Sequence, residues 1–222
     1  LTTISLLPLV IPVEMALAVN ALVQPVSNLG QVIGSGAARA AASRFWPLLP
    51  ALAVGAGLGT VLLSGLPPDL LLTLLGGFVM LFSAISLGGV VLAAPPPWER
   101  PVGLATAGVA GVVGALTTAP GPIFVMYLLG LRLDRALYRA TLGLLFLANG
   151  GLLVGGFWAV GVLDGPRAVL AGVCLLPAFA GMWAGVRLAR RLPAEGFRKV
   201  VLGGLLCLGA AFVLRGVGVV SF

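Results

Sequence analysis

Residues 117–122 read Thr-Thr-Ala-Pro-Gly-Pro and divide an otherwise apolar stretch, 101–131, into two parts. A proline removes a backbone N–H and fixes φ, so two prolines around a glycine stop an α-helix. The sequence therefore predicts two half-helices, 102–116 and 122–131, that meet inside an apolar layer. Irregular backbone at that depth is tolerated only where it is buried in protein or lines a cavity. This break is thus the first candidate for a binding site.

The composition places the whole chain in a lipid bilayer. Of its 222 residues, 60% are hydrophobic and only 9% are charged, whereas soluble domains carry about 25% charged residues. A helix crosses the hydrocarbon layer with about 20 apolar residues. Candidate spans are 14–38, 46–65, 69–93, 137–163, 167–189 and 197–220. We predict an all-α, multi-pass protein of the cell inner membrane.

Charge and residue types exclude several classes of function. The net charge of +7 comes from basic residues scattered between apolar runs, which does not form the basic face of a nucleic-acid-binding protein. The chain has no histidine, and Cys174 and Cys207 stand alone in apolar runs. We therefore expect no metal site, no cofactor and no nucleic-acid partner. Few catalytic groups can be assembled from these residues, so we predict that the protein is not an enzyme.

An internal repeat divides the chain. Residues 13–17 resemble 133–137, and the glycine pair at 76–77 matches that at 203–204. We predict a first repeat over 1–94, a linker over 95–100 and a second repeat over 101–222. The arm 101–116 has no partner in the first repeat, so we expect its counterpart to be missing before residue 1.

The basic residues predict that the two repeats are inverted. Equivalent loops of the two halves carry their arginines at opposite ends of the spans, which is typical of inverted repeats. Each repeat would then hold one re-entrant or broken helix and three spanning helices. Arg100 precedes the broken stretch and Arg132 follows it, which favours a hairpin that enters and leaves on the cytoplasmic side. That topology leaves only Arg167 and Arg215 outside.

The break contains groups that suit a small anion. The hydroxyls of Thr117 and Thr118 can donate hydrogen bonds, and the N–H of Gly121 follows Pro120 at a helix start. Helix N-termini attract anions, and no acidic residue lies nearby to repel one. The alternative is a proline kink between packed helices.

A polar stripe on the first long span supplies further candidates. Its members recur at helical spacing and share one face: Asn20, Gln24, Ser27, Asn28, Gln31 and Ser35. Such side chains either join helices or line a pathway. We take Gln24, Asn28 and Gln31 as candidate binding residues.

The second half adds three candidates. Thr141 and Asn149 are the polar residues of the span that matches the striped one. Arg139 lies one turn into that span, where it can attract anions at the inner mouth or extend its charge to the interface.

These residues resemble the sulfite exporter TauE/SafE family of membrane permeases. The resemblance rests on Gly-Ala-Leu-Thr-Thr-Ala-Pro-Gly-Pro at 114–122, on Tyr-Arg-Ala-Thr at 138–141 and on residues 177–185. The break has fewer glycines than the family usually shows. The resemblance implies export of sulfur oxyanions such as sulfite or organosulfonates.

We therefore predict a secondary transporter of small anions that works by alternating access. A channel-like conduit and a non-transporting membrane scaffold are the alternatives. A homodimer, the coupling ion and the direction of transport are left open.

Overall fold

The computed structural model describes residues 13–87, 98–170, 172–173, 180, 187 and 194–218. Eight α-helices are delimited there: α1 Val13–Ile33, α2 Ala38–Phe45, α3 Leu48–Gly65, α4 Pro68–Leu87, α5 Glu99–Thr117, α6 Gly121–Gly130, α7 Arg135–Ala159 and α8 Ala194–Gly216. The all-α prediction is confirmed. Residues 1–12, 88–97 and most of the predicted span 167–189 lie outside the described residues.

The first long span is shorter than predicted. Helix α1 ends at Ile33, not at residue 38, because Gly36 takes a left-handed φ of 69°. The Ser35 hydroxyl supports this turn by donating to the Val32 carbonyl (2.7 Å) and accepting from the Ala37 N–H (3.3 Å). The chain then forms the short helix α2, which lies between the predicted spans 14–38 and 46–65.

The predicted break is present, and its two half-helices fold back on each other. Helix α5 ends at Thr117 and α6 begins at Gly121. The Tyr127 hydroxyl, near the end of α6, donates to the carbonyl of Glu99 at the start of α5 (3.2 Å). The entry and the exit of this hairpin therefore lie at the same end of the helices, as the flanking arginines predicted.

The hairpin is held by close packing of α5 along α3. A Cβ added to Gly55 would collide with the Gly108 carbonyl, and one added to Gly59 would lie 2.7 Å from the Val112 carbonyl. Small residues let helix backbones approach closely in membranes. The paired positions rise together along both helices, so α3 and α5 run parallel.

Two other helix pairs run antiparallel. Gly76 of α4 faces Gly209 of α8, while Thr73, earlier in α4, faces Gly216, later in α8. The end of α1 leads into α2, whose Phe45 packs with the first turns of α7. These pairs, α4 with α8 and α1 with α7, are the ones related by the sequence repeat. Inverted repeats require antiparallel mates, although the inverted arrangement of the whole chain stays a prediction.

The helices meet the requirements of a membrane protein. Four of them, α3, α4, α5 and α7, are long and apolar enough to cross a bilayer. The 21-residue α1 is long enough at about 30 Å but carries the polar stripe. Trp46, Trp98 and Trp158 are exposed at helix ends, where interfacial aromatic residues lie. One end of the helices gathers Arg39, Arg44, Arg100, Arg132, Arg135 and Arg139, and the positive-inside rule predicts that this end is cytoplasmic.

The glycine pair 76–77 tests the packing of α4 on α8. A Cβ added to Gly76 would lie 2.6 Å from the Gly209 carbonyl, while one added to Gly77 would meet nothing within 4 Å. We expect Gly76→Ala to lower stability by about 1–3 kcal/mol through overpacking. Gly77→Ala should leave it unchanged or raise it slightly. Thermal unfolding of the detergent-purified variants measures both, and equal midpoints would contradict the packing of these helices.

Candidate functional site

The break is organised around the backbone of Thr118. This residue adopts a left-handed conformation, φ 49° and ψ 22°, which is unfavourable for a β-branched side chain. Its N–H still caps α5 by donating to the Gly114 carbonyl (2.7 Å). Its own carbonyl, however, points out of the helix and needs a partner from elsewhere.

Two amides of α1 supply that partner. The Asn20 Nδ2 donates to the Thr118 carbonyl (3.3 Å) and to its Oγ1 (2.7 Å). The Gln24 Nε2 also donates to the Thr118 carbonyl. The polar stripe and the break were predicted separately, and they meet in one site. Hydrogen bonds from α1, in the first half of the chain, stabilise the end of the broken helix in the second half.

The threonine hydroxyls have a different role from the predicted one. Thr117 donates its hydroxyl to the Val113 carbonyl (2.7 Å) and accepts from the Ala119 N–H (3.2 Å). Thr118 donates to the Thr117 carbonyl (2.8 Å). Both protons are thus used to shape the break and do not point to a ligand. The N–H of Gly121 is the backbone donor of the break for which the described residues provide no partner.

The geometry fixes the orientation of the Gln24 amide. A carbonyl oxygen only accepts, so the atom that faces Thr118 must be the nitrogen of the amide. The Gln24 Oε1 is then left buried, without a hydrogen-bond partner in the described part of the chain. An acceptor, not only donors, therefore faces the site.

Asn149 of α7 completes the cluster. Its side chain is fully buried, at 0% exposure, and lies over Gly114, where an added Cβ would be 2.7 Å from the Asn149 Oδ1. Neither its Oδ1 nor its Nδ2 has a partner among the described residues. The next residue, Gly150, packs on the ring of Pro25, which follows Gln24. We call Asn20, Gln24, Thr118 and Asn149 the amide cluster.

Two predicted residues of the break serve its shape. Pro120 is buried, and its carbonyl accepts from the N–H groups of Ile123 (3.1 Å) and Phe124 (3.2 Å). Gly121 is covered by the ring of Phe146, which a Cβ there would approach to 2.8 Å. Any larger residue at 121 would displace that ring.

The other candidates lie farther from the break. The Asn28 Nδ2 donates to the Gln24 carbonyl within α1 (2.8 Å). Thr141 is fully buried with its hydroxyl unpartnered in the described part, but it lies eight residues, or about 12 Å, before Asn149. Arg139 is exposed near the cytoplasmic end. The side chain of Gln31 lies outside the described ones.

Two polar residues were not among the predicted candidates. Asn20 belongs to the recognised stripe and stands one helical turn before Gln24, so its spacing was the available signal. Ser83 is fully buried in α4 with an unpartnered hydroxyl among the described residues. A lone serine in an apolar run gives no comparable signal.

The amide cluster contains no ionisable side chain. The described residues also hold no group of three or more histidine, cysteine or acidic side chains that could ligate a metal. The polar groups that this cluster offers are therefore neutral amides and backbone dipoles.

Comparison with known proteins identifies the family of the chain. The sequence profile described as sulfite exporter TauE/SafE matches residues 1–212. The chain belongs to this family. It is also 27% identical over 165 residues to the "Probable inner membrane transporter protein TsaS" of Comamonas testosteroni, covering 73% of this chain and 68% of the relative. No solved structure matches the chain.

The family and the fold together establish the general function. A member of the TauE/SafE family built from apolar helices is a multi-pass membrane transporter, as the sequence predicted. The relative places such a transporter in the inner membrane. Family and relative indicate a transporter of a small substrate in the bilayer, not an enzyme.

Removing the two amides that donate to the Thr118 carbonyl tests whether they stabilise it together. Asn20→Ala or Gln24→Ala leaves the Thr118 carbonyl with one donor, whereas the double variant leaves it with none. An unsatisfied buried acceptor costs about 1–3 kcal/mol. We therefore expect the double variant to lose more stability than the sum of the single ones, by at least about 0.5 kcal/mol. Additive losses in thermal unfolding would show that the amides act independently.

Proposed function

We propose that this transporter carries sulfite or organosulfonate-type sulfur oxyanions, and that it binds them at the amide cluster. Alternating access would expose the cluster first to one side of the membrane and then to the other. The description of the family supports the substrate class, and the chemistry of the cluster supports the site.

The observation that carries the site is the state of Asn149. A buried polar atom without a hydrogen bond costs about 1–3 kcal/mol, and Asn149 has two such atoms in the described part. Nearly all buried polar groups in native proteins find a partner. A transported ligand would supply hydrogen bonds to both atoms of the Asn149 amide.

The cluster can replace the hydration of a small oxyanion. The Asn149 Nδ2 and the Gly121 N–H are donors without described partners, and Gly121 lies at the start of α6, where the helix dipole favours negative charge. The break itself and the facing stretch of α1 from residue 16 onward carry no carboxylate, and Glu99, at the far end of α5, is paired with Arg44. Arg139, exposed at the cytoplasmic end, would raise the local anion concentration.

The arrangement also supports alternating access. The amide cluster joins α1 of the first half to the broken helix and α7 of the second half. A ligand bound between two halves is released when one half rocks against the other. A channel-like conduit, the competing function, would need no such joint and would conduct without saturating.

Asn149→Leu tests the site directly. We expect at least about tenfold slower uptake of sulfite into proteoliposomes at neutral pH, because a hydrogen bond to a charged ligand contributes about 1.5–3 kcal/mol. Asn149→Asp, which keeps the shape but adds negative charge, should fail equally. Gly151→Ala on the same helix is the control, since its Cβ would meet nothing within 4 Å. Normal flux through Asn149→Leu would overturn the site.

A thermal-shift screen separates the substrate class from the site. Sulfite, sulfate, thiosulfate, taurine and sulfoacetate are each added to the purified protein, and the unfolding midpoint is measured. A bound ligand raises the midpoint by an amount that grows with the logarithm of its concentration over Kd. Shifts with sulfur oxyanions that Asn149→Leu abolishes support both parts of the proposal. No shift with any of the five would contradict the substrate class.

A further inference from the structure

Two cavities lie along the seam between α3 and α5, away from the amide cluster. The first, of about 700 Å³, lies at the cytoplasmic end and has polar, charged and aromatic walls that include Arg44, Trp46, Glu99 and Arg100. The second, of about 600 Å³, is walled by apolar side chains and glycines of the same two helices.

The two cavities follow one another along the seam. On α3, the polar cavity reaches Leu48 and the apolar one begins at Pro50. On α5, the polar cavity reaches Leu104 and the apolar one begins at Gly108, one helical turn later. Because α3 and α5 run parallel, the two cavities lie end to end along the seam. We call the two together the seam groove, with a charged head and an apolar tail.

The head of the seam groove carries a positive charge. The Arg44 Nη2 is paired with the Glu99 Oε1 at 2.8 Å, and the Arg44 guanidinium also lies 5.5 Å from the centre of the Phe45 ring. Arg100 makes no ion pair within the described part of the chain and is exposed. One uncompensated guanidinium therefore remains at the head, on the arginine-rich side of the protein.

The tail of the seam groove opens toward the hydrocarbon of the bilayer. Val54 is 64% exposed, Leu58 59% and Val109 55%. They lie in the middle parts of α3 and α5, at a depth where lipid tails are the solvent. The bottom of the apolar cavity is formed by Gly55 and Gly108, which have no side chains and let the two helix backbones come close together. The exposed side chains of Val54 and Val109 border this open depression on its two sides.

We propose that the seam groove binds an anionic phospholipid of the cytoplasmic leaflet. Its phosphate lies at Arg100, its glycerol region lies near the exposed indole of Trp46, and one acyl chain follows the groove between Val54 and Val109. Basic pockets between helices on the cytoplasmic side suit anionic lipid headgroups. A second copy of this chain is a poorer occupant. Its arginine-rich end would lie on the same side of the membrane, where its positive charges would repel Arg100.

Native mass spectrometry of the detergent-purified protein tests this assignment. Phosphatidylglycerol and phosphatidylcholine with the same acyl chains are added in equal amounts. We expect the wild type to retain phosphatidylglycerol preferentially, and Arg100→Gln to reduce that retention by about fivefold. Arg39→Gln, which removes an arginine at the same end but outside the groove, should change it by less than twofold.

The tail needs a separate variant. Val109→Trp fills the apolar part of the groove from an exposed position, so the helix can form without repacking its buried face. We expect it to reduce retention of both lipids while leaving the preference between them unchanged. Val54→Trp, on the facing helix, should act in the same way. The same result from two helices would show that the effect comes from filling the cavity and not from local misfolding of one helix.

Three results would overturn the proposal. Equal retention of the two lipids by the wild type would show that the groove does not select an anionic headgroup. Displacement of phosphatidylglycerol by millimolar inorganic phosphate would show that the head of the groove binds free anions and not a lipid. A dimer that Val109→Trp converts to a monomer, with no bound lipid in either form, would make the groove a contact between copies of this chain.

Discussion

The fold depends on one constraint, which is that backbone polar groups in a bilayer must be satisfied inside the protein. The chain breaks a helix at 117–122, where it exposes such groups far from water. Thr118 carries the consequence, because its left-handed backbone turns its carbonyl away from α5. Asn20 and Gln24 donate to that oxygen from α1. Helix α1 therefore stabilises the broken helix.

Glycines make this arrangement possible by bringing the helices close enough. Gly108 and Gly111 seat α5 against α3, and Gly114 leaves room for the Asn149 side chain. Both sets of contacts lie on α5, where Gly108, Gly111 and Gly114 are spaced three residues apart. Helix α5 therefore contacts both α3 along the seam and the Asn149 side chain of the amide cluster.

The sequence predicted the parts of this structure that follow from backbone chemistry. The Pro-Gly-Pro break, the hairpin and most helix bounds needed only φ restrictions, apolar run lengths and the positions of arginines. It did not predict where side-chain protons go. Thr117 and Thr118 looked like donors to a ligand, but their hydroxyls bond to neighbouring carbonyls. Nor did spacing alone show that Asn149 would be wholly buried and unpartnered, since that depends on packing between distant helices.

The direction of the Gln24 amide limits what the site can bind. Its nitrogen is held by the Thr118 carbonyl, so its oxygen is a fixed acceptor beside donors that suit an anion. A fully deprotonated oxyanion would place lone pairs against that oxygen and be repelled. A hydrogensulfite carries a hydroxyl and a taurine carries an ammonium, so each can donate to Gln24 while accepting from Asn149. Sulfate at neutral pH lacks such a donor and would have to keep a bridging water, which binds less directly. If the cluster binds sulfur oxyanions as proposed, those that also carry a proton donor are therefore favoured.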